Sequence, residues 1–138
     1  QVIGEFEEKF EERNLQMVVH FDEEEAIICA DGRRLWRVLE NVCGNVSKYA
    51  MENTRVYVDM NVNRPNVRLS LKNISAQPLN ITADELTERF IRGDISRNTE
   101  GSGLGLSIAK DLVQLQGGTF NLYLDGDLFK VTIEFKMK

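Results

Sequence analysis

The stretch that most constrains this chain is Gly101-Ser102-Gly103-Leu104-Gly105-Leu106, three alternate glycines running straight into a helical apolar pattern. Leu104, Leu106, Ile108, Ala109, Leu112 and Val113 recur at helical spacing up to the terminating pair Gly117-Gly118. A glycine-rich loop that opens a helix leaves its first N–H groups unpaired and aims the positive end of the helix dipole at one place. An anion, most often a phosphate, suits that place. The residues in front, from Arg89 to Glu100, are charged and show no apolar period, so they read as a mobile loop. Two familiar phosphate motifs do not fit. A Walker A loop needs a lysine after its last glycine, where Leu106 stands. The dinucleotide fingerprint begun at Gly101 needs a glycine at the same position, and a strand rather than a charged loop before it. Taken alone, the three glycines fit a flexible linker equally well.

Length and charge narrow the field. The 138 residues suffice for one domain with one continuous core. A net charge of −5 argues against general nucleic-acid binding through a basic surface. Glu5, Glu7, Glu8, Glu11, Glu12 and the Asp22–Glu25 run crowd the start, whereas Arg89, Arg92 and Arg97 gather in the glycine loop. No apolar run approaches the ~20 residues of a membrane span, and no secretory signal opens the sequence. Cys29 and Cys43 lack metal-ligand spacing and read as core residues in a reducing compartment. His20, alternating within Val18-Val19-His20-Phe21, reads as structural.

The pattern predicts a helix from Val2 to about Asn14, a strand over Gln16–Phe21 and a short strand over Ala26–Ala30. Asp31 then N-caps a long helix from about Gly32 to Met51. Thr54–Val62 and Val67–Asn73 form a hairpin about Asn63-Arg64-Pro65-Asn66. A loop over 77–81 and a capping box at Thr82-Ala83-Asp84-Glu85 precede a short helix to Arg89. After the glycine helix, Thr119–Leu124 and Leu128–Phe135 close the chain as a second hairpin. The expected architecture is α+β: a two-layer α/β sandwich with a mixed, mostly antiparallel sheet and its helices on one face.

On the long helix, Leu35, Leu39, Val42, Cys43, Val46 and Ala50 fall in one stripe, and Asn41, Asn45 and Lys48 fall together on the other side. Asparagine is a poor helix former, so two of them one turn apart need a reason beyond packing. A solvated polar face is one explanation and a ligand site the other. Tyr49 lies at the edge between the stripes.

Several stretches together resemble one family. Val38-Leu39-Glu40-Asn41-Val42-Cys43-Gly44-Asn45-Val46-Ser47-Lys48-Tyr49-Ala50 resembles the N box of sensor histidine kinases, Glu88-Arg89-Phe90 the F box, and Gly101–Leu106 the G2 box. They occur in the family's order across essentially the whole chain. The sequence is thus identified as similar to the catalytic and ATP-binding domain of a bacterial two-component sensor kinase. That domain has the Bergerat fold, shared with gyrase and a class of heat-shock chaperones.

The resemblance implies ATP with Mg2+. It gives Asn45 the metal through its side-chain oxygen, with Asn41 one turn before it. Lys48 matches the phosphate-contacting lysine and Tyr49 the aromatic beside the nucleotide. Arg92 and Arg97 match lid arginines that reach the terminal phosphates, and Gly101, Gly103, Leu104 and Gly105 match the loop that approaches them. The implied catalytic set is Asn45, Lys48 and Arg97. The G1 box departs from the family pattern: Asn73 in Lys72-Asn73-Ile74-Ser75-Ala76-Gln77 stands where an aspartate normally accepts from the adenine amino group. An asparagine carbonyl can accept the same bond without charge.

The implied activity is transfer of the γ-phosphoryl group to a histidine. His20 lacks the helical setting of a phosphoacceptor, so residues 1–138 are expected to be a fragment without the dimerisation helices, unable to autophosphorylate alone. The implied partners are the protein's own dimerisation and phosphoacceptor domain and, through the full kinase, a response regulator, on the cytoplasmic side of a membrane-bound sensor. The alternatives are a non-catalytic nucleotide-binding module, another Bergerat ATPase, or an anti-sigma serine kinase. Asn41 stands where gyrase-like ATPases place their general-base glutamate, which counts against water activation.

Overall fold

Period-two alternation in the strands dictates a sheet with one dry face. The computed structural model describes residues 2–22, 28, 30–76 and 104–137. Their elements run α1 (Val2–Glu12), β1 (Gln16–Phe21), α2 (Gly32–Tyr49), β2 (Arg55–Asn63), β3 (Asn66–Ile74), α3 (Leu104–Leu115), β4 (Thr119–Asp125) and β5 (Leu128–Lys136). The strands form one five-stranded sheet in the order β1-β2-β3-β5-β4. Val56 and Val58 of β2, Val67 and Leu71 of β3, and Phe129, Val131, Ile133 and Phe135 of β5 turn to the buried side. The opposite face is polar and carries the exposed pair Arg68–Glu134, Nη2 to Oε2 2.8 Å.

Three strand pairs are antiparallel: β2 with β3, β3 with β5, and β4 with β5. β1 and β2 are parallel, Gln16 opposite Arg55 through Phe21 opposite Met60. A parallel pair needs a crossover, and α2 lies on that crossover. The sheet is therefore mixed and mostly antiparallel, as expected. Of the predicted strand at 26–30 only Ile28 and Ala30 are described: Ile28 bridges to Met137, and Ala30 lies outside any strand. The loop at 77–81, the short helix to Arg89 and the charged loop lie outside the described residues.

Local chemistry fixes the helix ends. Asp31 Oδ1 accepts from the N–H groups of Arg33 (2.9 Å) and Arg34 (3.2 Å), the expected N-cap of α2. The Arg34 and then the Arg33 N–H bonds hold its carboxyl below the usual carboxylate range. α1 stops at Glu12, earlier than its apolar pattern suggests, because Asn14 takes a left-handed φ of 53°. The N–H groups of Leu15 and Asn14 then bond the carbonyls of Phe10 and Glu11, a Schellman closure that buries Leu15. α3 closes the same way, with Gly117 at φ 83° and the Gly118 N–H on the Val113 carbonyl at 3.0 Å. The first hairpin turns on Arg64 and Pro65 alone, tighter than the four residues its sequence suggests.

Gly118 has no room for a side chain. A Cβ there would lie 2.7 Å from Phe135 Cε1, and Phe135 is itself buried in the core. Gly118→Ala should therefore cost about 1–3 kcal/mol by overpacking. A denaturant midpoint unchanged from the parent would refute this account of the helix end.

Candidate functional site

Three elements build the candidate site: α2, the start of α3 packed on it, and the end of β3 bonded to its end. The polar side of α2 carries Asn41, Asn45, Lys48 and Tyr49. The first turn of α3 packs directly on Asn41: a Cβ added to Gly105 would lie 3.6 Å from Asn41 Cβ and 3.8 Å from its carbonyl oxygen. Asn45 follows about 6 Å along the helix axis at 1.5 Å per residue and is half-buried. Lys48 and Tyr49 are exposed in the last turn. No acidic side chain occupies the first turn of α3, so the partial positive charge at its start is not neutralised within that turn.

The third element is the end of β3. Asn73 lies on the helix-facing side with Val67 and Leu71 and is 3% exposed. Main-chain bonds fasten this end of β3 to the end of α2. The Met51 N–H donates to the Ile74 carbonyl at 2.7 Å, and the Ala76 N–H to the Tyr49 carbonyl at 2.9 Å. Between them Ala50 bridges to Ser75, which is why α2 ends at Tyr49 instead of reaching Met51. The Ser75 N–H also donates to the Asp127 carbonyl at 2.7 Å, bringing in the β4–β5 turn. From the other side, Arg13 Nη1 donates to the Ser47 carbonyl at 2.6 Å and takes up one of the last free carbonyls of α2.

Among the described residues, two buried side-chain atoms have no hydrogen-bond partner: Asn41 Nδ2 and Asn73 Oδ1. Each such group costs about 1–3 kcal/mol if left dry and unpaired. A solvated polar face does not account for Asn41, because its amide nitrogen is not solvated. Amides offer neutral donors and acceptors, the kind of group that reads a base edge or ligates a hard cation.

The fold thus places Asn41 and Gly105 in contact and Asn45 one turn beyond, and it ties Tyr49 to the strand end that carries Asn73. Arg92, Arg97, Gly101 and Gly103 lie outside the described residues, and Leu104 opens α3. The fastening contributed by Ser75, Asp127 and Arg13 was missed in the sequence. The first two act through main-chain atoms and Arg13 binds a carbonyl, so side-chain patterning held no signal for them. Among the described residues no group of three or more His, Cys, Asp or Glu side chains could hold a metal. A divalent cation here would be held by an amide oxygen together with ligand oxygens and water. A separate cavity of about 420 Å3 lies between α2 and the sheet, lined by Leu35, Trp36, Leu39, Val58, Met60 and other apolar side chains. Among the described residues its lining is apolar and includes none of the predicted site residues.

Comparison with known proteins identifies the family and the fold. The family model for histidine kinase-, DNA gyrase B- and HSP90-like ATPases matches residues 30–138. The chain belongs to that family. The probable sensor protein PcoS of Escherichia coli is 31% identical over 115 residues, 80% of this chain and 25% of that protein. The sensor histidine kinase HprS of Escherichia coli strain K12 is 32% identical over 108 residues, 77% of this chain and 24% of that protein. The chain spans about a quarter of the length of these relatives. The solved catalytic domain of histidine kinase ThkA superposes with a TM-score of 0.81 at 26% identity, covering 98% of this chain and 87% of that one. The fold is accordingly the Bergerat fold of histidine-kinase catalytic domains. Among the described residues no helix is long and apolar enough to cross a membrane.

Between the two helix asparagines, Cys43 faces the core, and burial pushes its thiol up to about 12. The unfolded thiol ionises near 9.0, so the folded state holds more protons between those values. Stability should be independent of this group below pH 9 and fall as pH rises from 9 towards 12, with a shallower fall in Cys43→Val. Native Cys43 should also resist alkylation at pH 8 and react fully once unfolded. Rapid labelling of Cys43 itself in the folded protein, read by peptide mapping, would contradict this burial.

Proposed function

We propose that this domain binds Mg-ATP and donates the γ-phosphoryl group to a histidine on a separate dimerisation domain of the same kinase. The observation that carries the proposal is a pair of buried amide atoms without a hydrogen-bond partner among the described residues, Asn41 Nδ2 against the start of α3 and Asn73 Oδ1 at the end of β3. Asn73 lies at the sheet end and is assigned the adenine amino group. Tyr49 flanks the base. Asn41 and the N–H groups opening α3 face the phosphates, and Lys48 supplies a cation at their edge. Asn45 is assigned the Mg2+, which would neutralise phosphate charge during transfer. Arg92 and Arg97 are assigned the terminal phosphates, and Gly101, Gly103 and Leu104 the loop that approaches them.

In the transfer, an imidazole nitrogen of the acceptor attacks the γ-phosphorus, the bond to the β–γ bridging oxygen breaks, and ADP leaves. Positioning and charge neutralisation supply most of the catalysis in such reactions. Residues 1–138 are read as the catalytic piece of a longer cytoplasmic kinase region whose dimerisation domain supplies the histidine. The downstream partner is a response regulator. Asn41 is a neutral amide and cannot act as a general base, which favours transfer to histidine over hydrolysis by an activated water. A second reading, a nucleotide-binding module that signals without transfer, is favoured by Asn73 in place of a carboxylate.

Titration with ATP, with and without Mg2+, tests the site. Asn45→Ala should lose chiefly the Mg2+-dependent gain, at least about tenfold, the scale on which even outer-shell partners of a metal matter. Gly105→Ala should fold with unchanged or slightly higher stability, by up to about 1 kcal/mol, because its methyl makes ordinary contacts with Asn41. It should nevertheless bind ATP more weakly. Incubation with labelled ATP and a histidine-bearing dimerisation domain in trans should label that domain and leave this chain unlabelled. Tight Mg-ATP binding with no transfer would favour the second reading.

A further inference from the structure

Asn73 is held by its backbone and left free at its tip. β3 lies between β2 and β5; Asn73 pairs with Phe129 of β5, one residue past Lys72, where the pairing with β2 ends, so the main chain here is anchored in the sheet. Asn73 is 3% exposed, and its Oδ1 has no hydrogen-bond partner among the described residues, so no acceptor bond fixes the polarity of the amide. A carboxylate at this position would present lone pairs only. An amide presents an acceptor on one side and a donor on the other, and a half-turn about its last torsion exchanges them without changing its shape.

Resting on the nucleotide reading above, we propose that Asn73 reads the 6-position of a purine in either polarity, so that the site takes 6-oxo purine nucleoside triphosphates as well as 6-amino ones. With the carbonyl forward, Asn73 accepts from a 6-amino group. With the NH2 forward, it donates to a 6-oxo oxygen. A buried carboxylate would meet that oxygen with like partial charge and no proton between them. A neutral amide bond is weaker than a charge-assisted one, so 6-amino affinity is somewhat lower than a carboxylate would give.

The test compares three triphosphates on the unaltered chain with Mg2+: ATP, inosine triphosphate, and purine riboside triphosphate, which has no 6-substituent. ATP and inosine triphosphate should bind within about tenfold of each other and both more tightly than purine riboside triphosphate, by about the worth of one hydrogen bond. Asn73→Ala should bring all three to a common affinity. Asn73→Asp should widen the preference for ATP over inosine triphosphate at least about tenfold. Because the first comparison needs no variant, a variant that does not fold leaves it intact. Inosine triphosphate binding no better than purine riboside triphosphate, while ATP binds better than both, overturns the proposal and spares the nucleotide reading. Failure of all three to bind overturns both.

Discussion

The site depends on the main-chain junction between the end of α2 and the end of β3. Two N–H···O bonds, Met51 to Ile74 and Ala76 to Tyr49, run in opposite directions across the Ala50–Ser75 bridge. Each is worth only about 1 kcal/mol net, but together they leave the helix and the strand little freedom to separate. The polar side of α2 and the inner end of β3 are therefore held at one end of the sheet. Arg13 on one side and the Asp127 carbonyl on the other brace the same junction.

Given that junction, polarity is distributed unevenly along α2. Val38, Val42, Cys43 and Val46 pack into the core, while Asn41, one residue before Val42, keeps a buried amide nitrogen without a partner. A fold that leaves two such atoms dry gives up stability that apolar side chains would retain. A ligand that pairs them recovers it, which is the physical sense in which the site is organised for binding. The start of α3, pressed on Asn41 through Gly105, adds a patch of positive potential at the same place. The chain belongs to the ATPase family and shares the fold of a histidine-kinase catalytic domain.

Much of the architecture was legible in local sequence. Asp31, Gly117-Gly118 and the two hairpins announced themselves because caps and turns depend on the backbone preferences of a few adjacent residues. The asparagine pair on α2 and the glycine loop were visible as departures from good helix chemistry, and only the order of several boxes gave them a shared meaning. The parallel pairing of β1 with β2 was not specified by either strand, since alternation says which face is dry and not which strand lies beside which. The early end of α2 was illegible for a related reason. Ala50 is a good helix former, and it leaves the helix because Ser75, far along the chain, offers a bridge.

By itself, then, the sequence determined the elements, the dry side of each, and the residue types able to meet a phosphate and a base, because these follow from local propensity and periodicity. The tertiary structure alone decided which amides are dry and which elements face each other. Burial of Asn41 Nδ2 and Asn73 Oδ1, and the meeting of α2, β3 and the start of α3, arise from packing between segments distant in sequence.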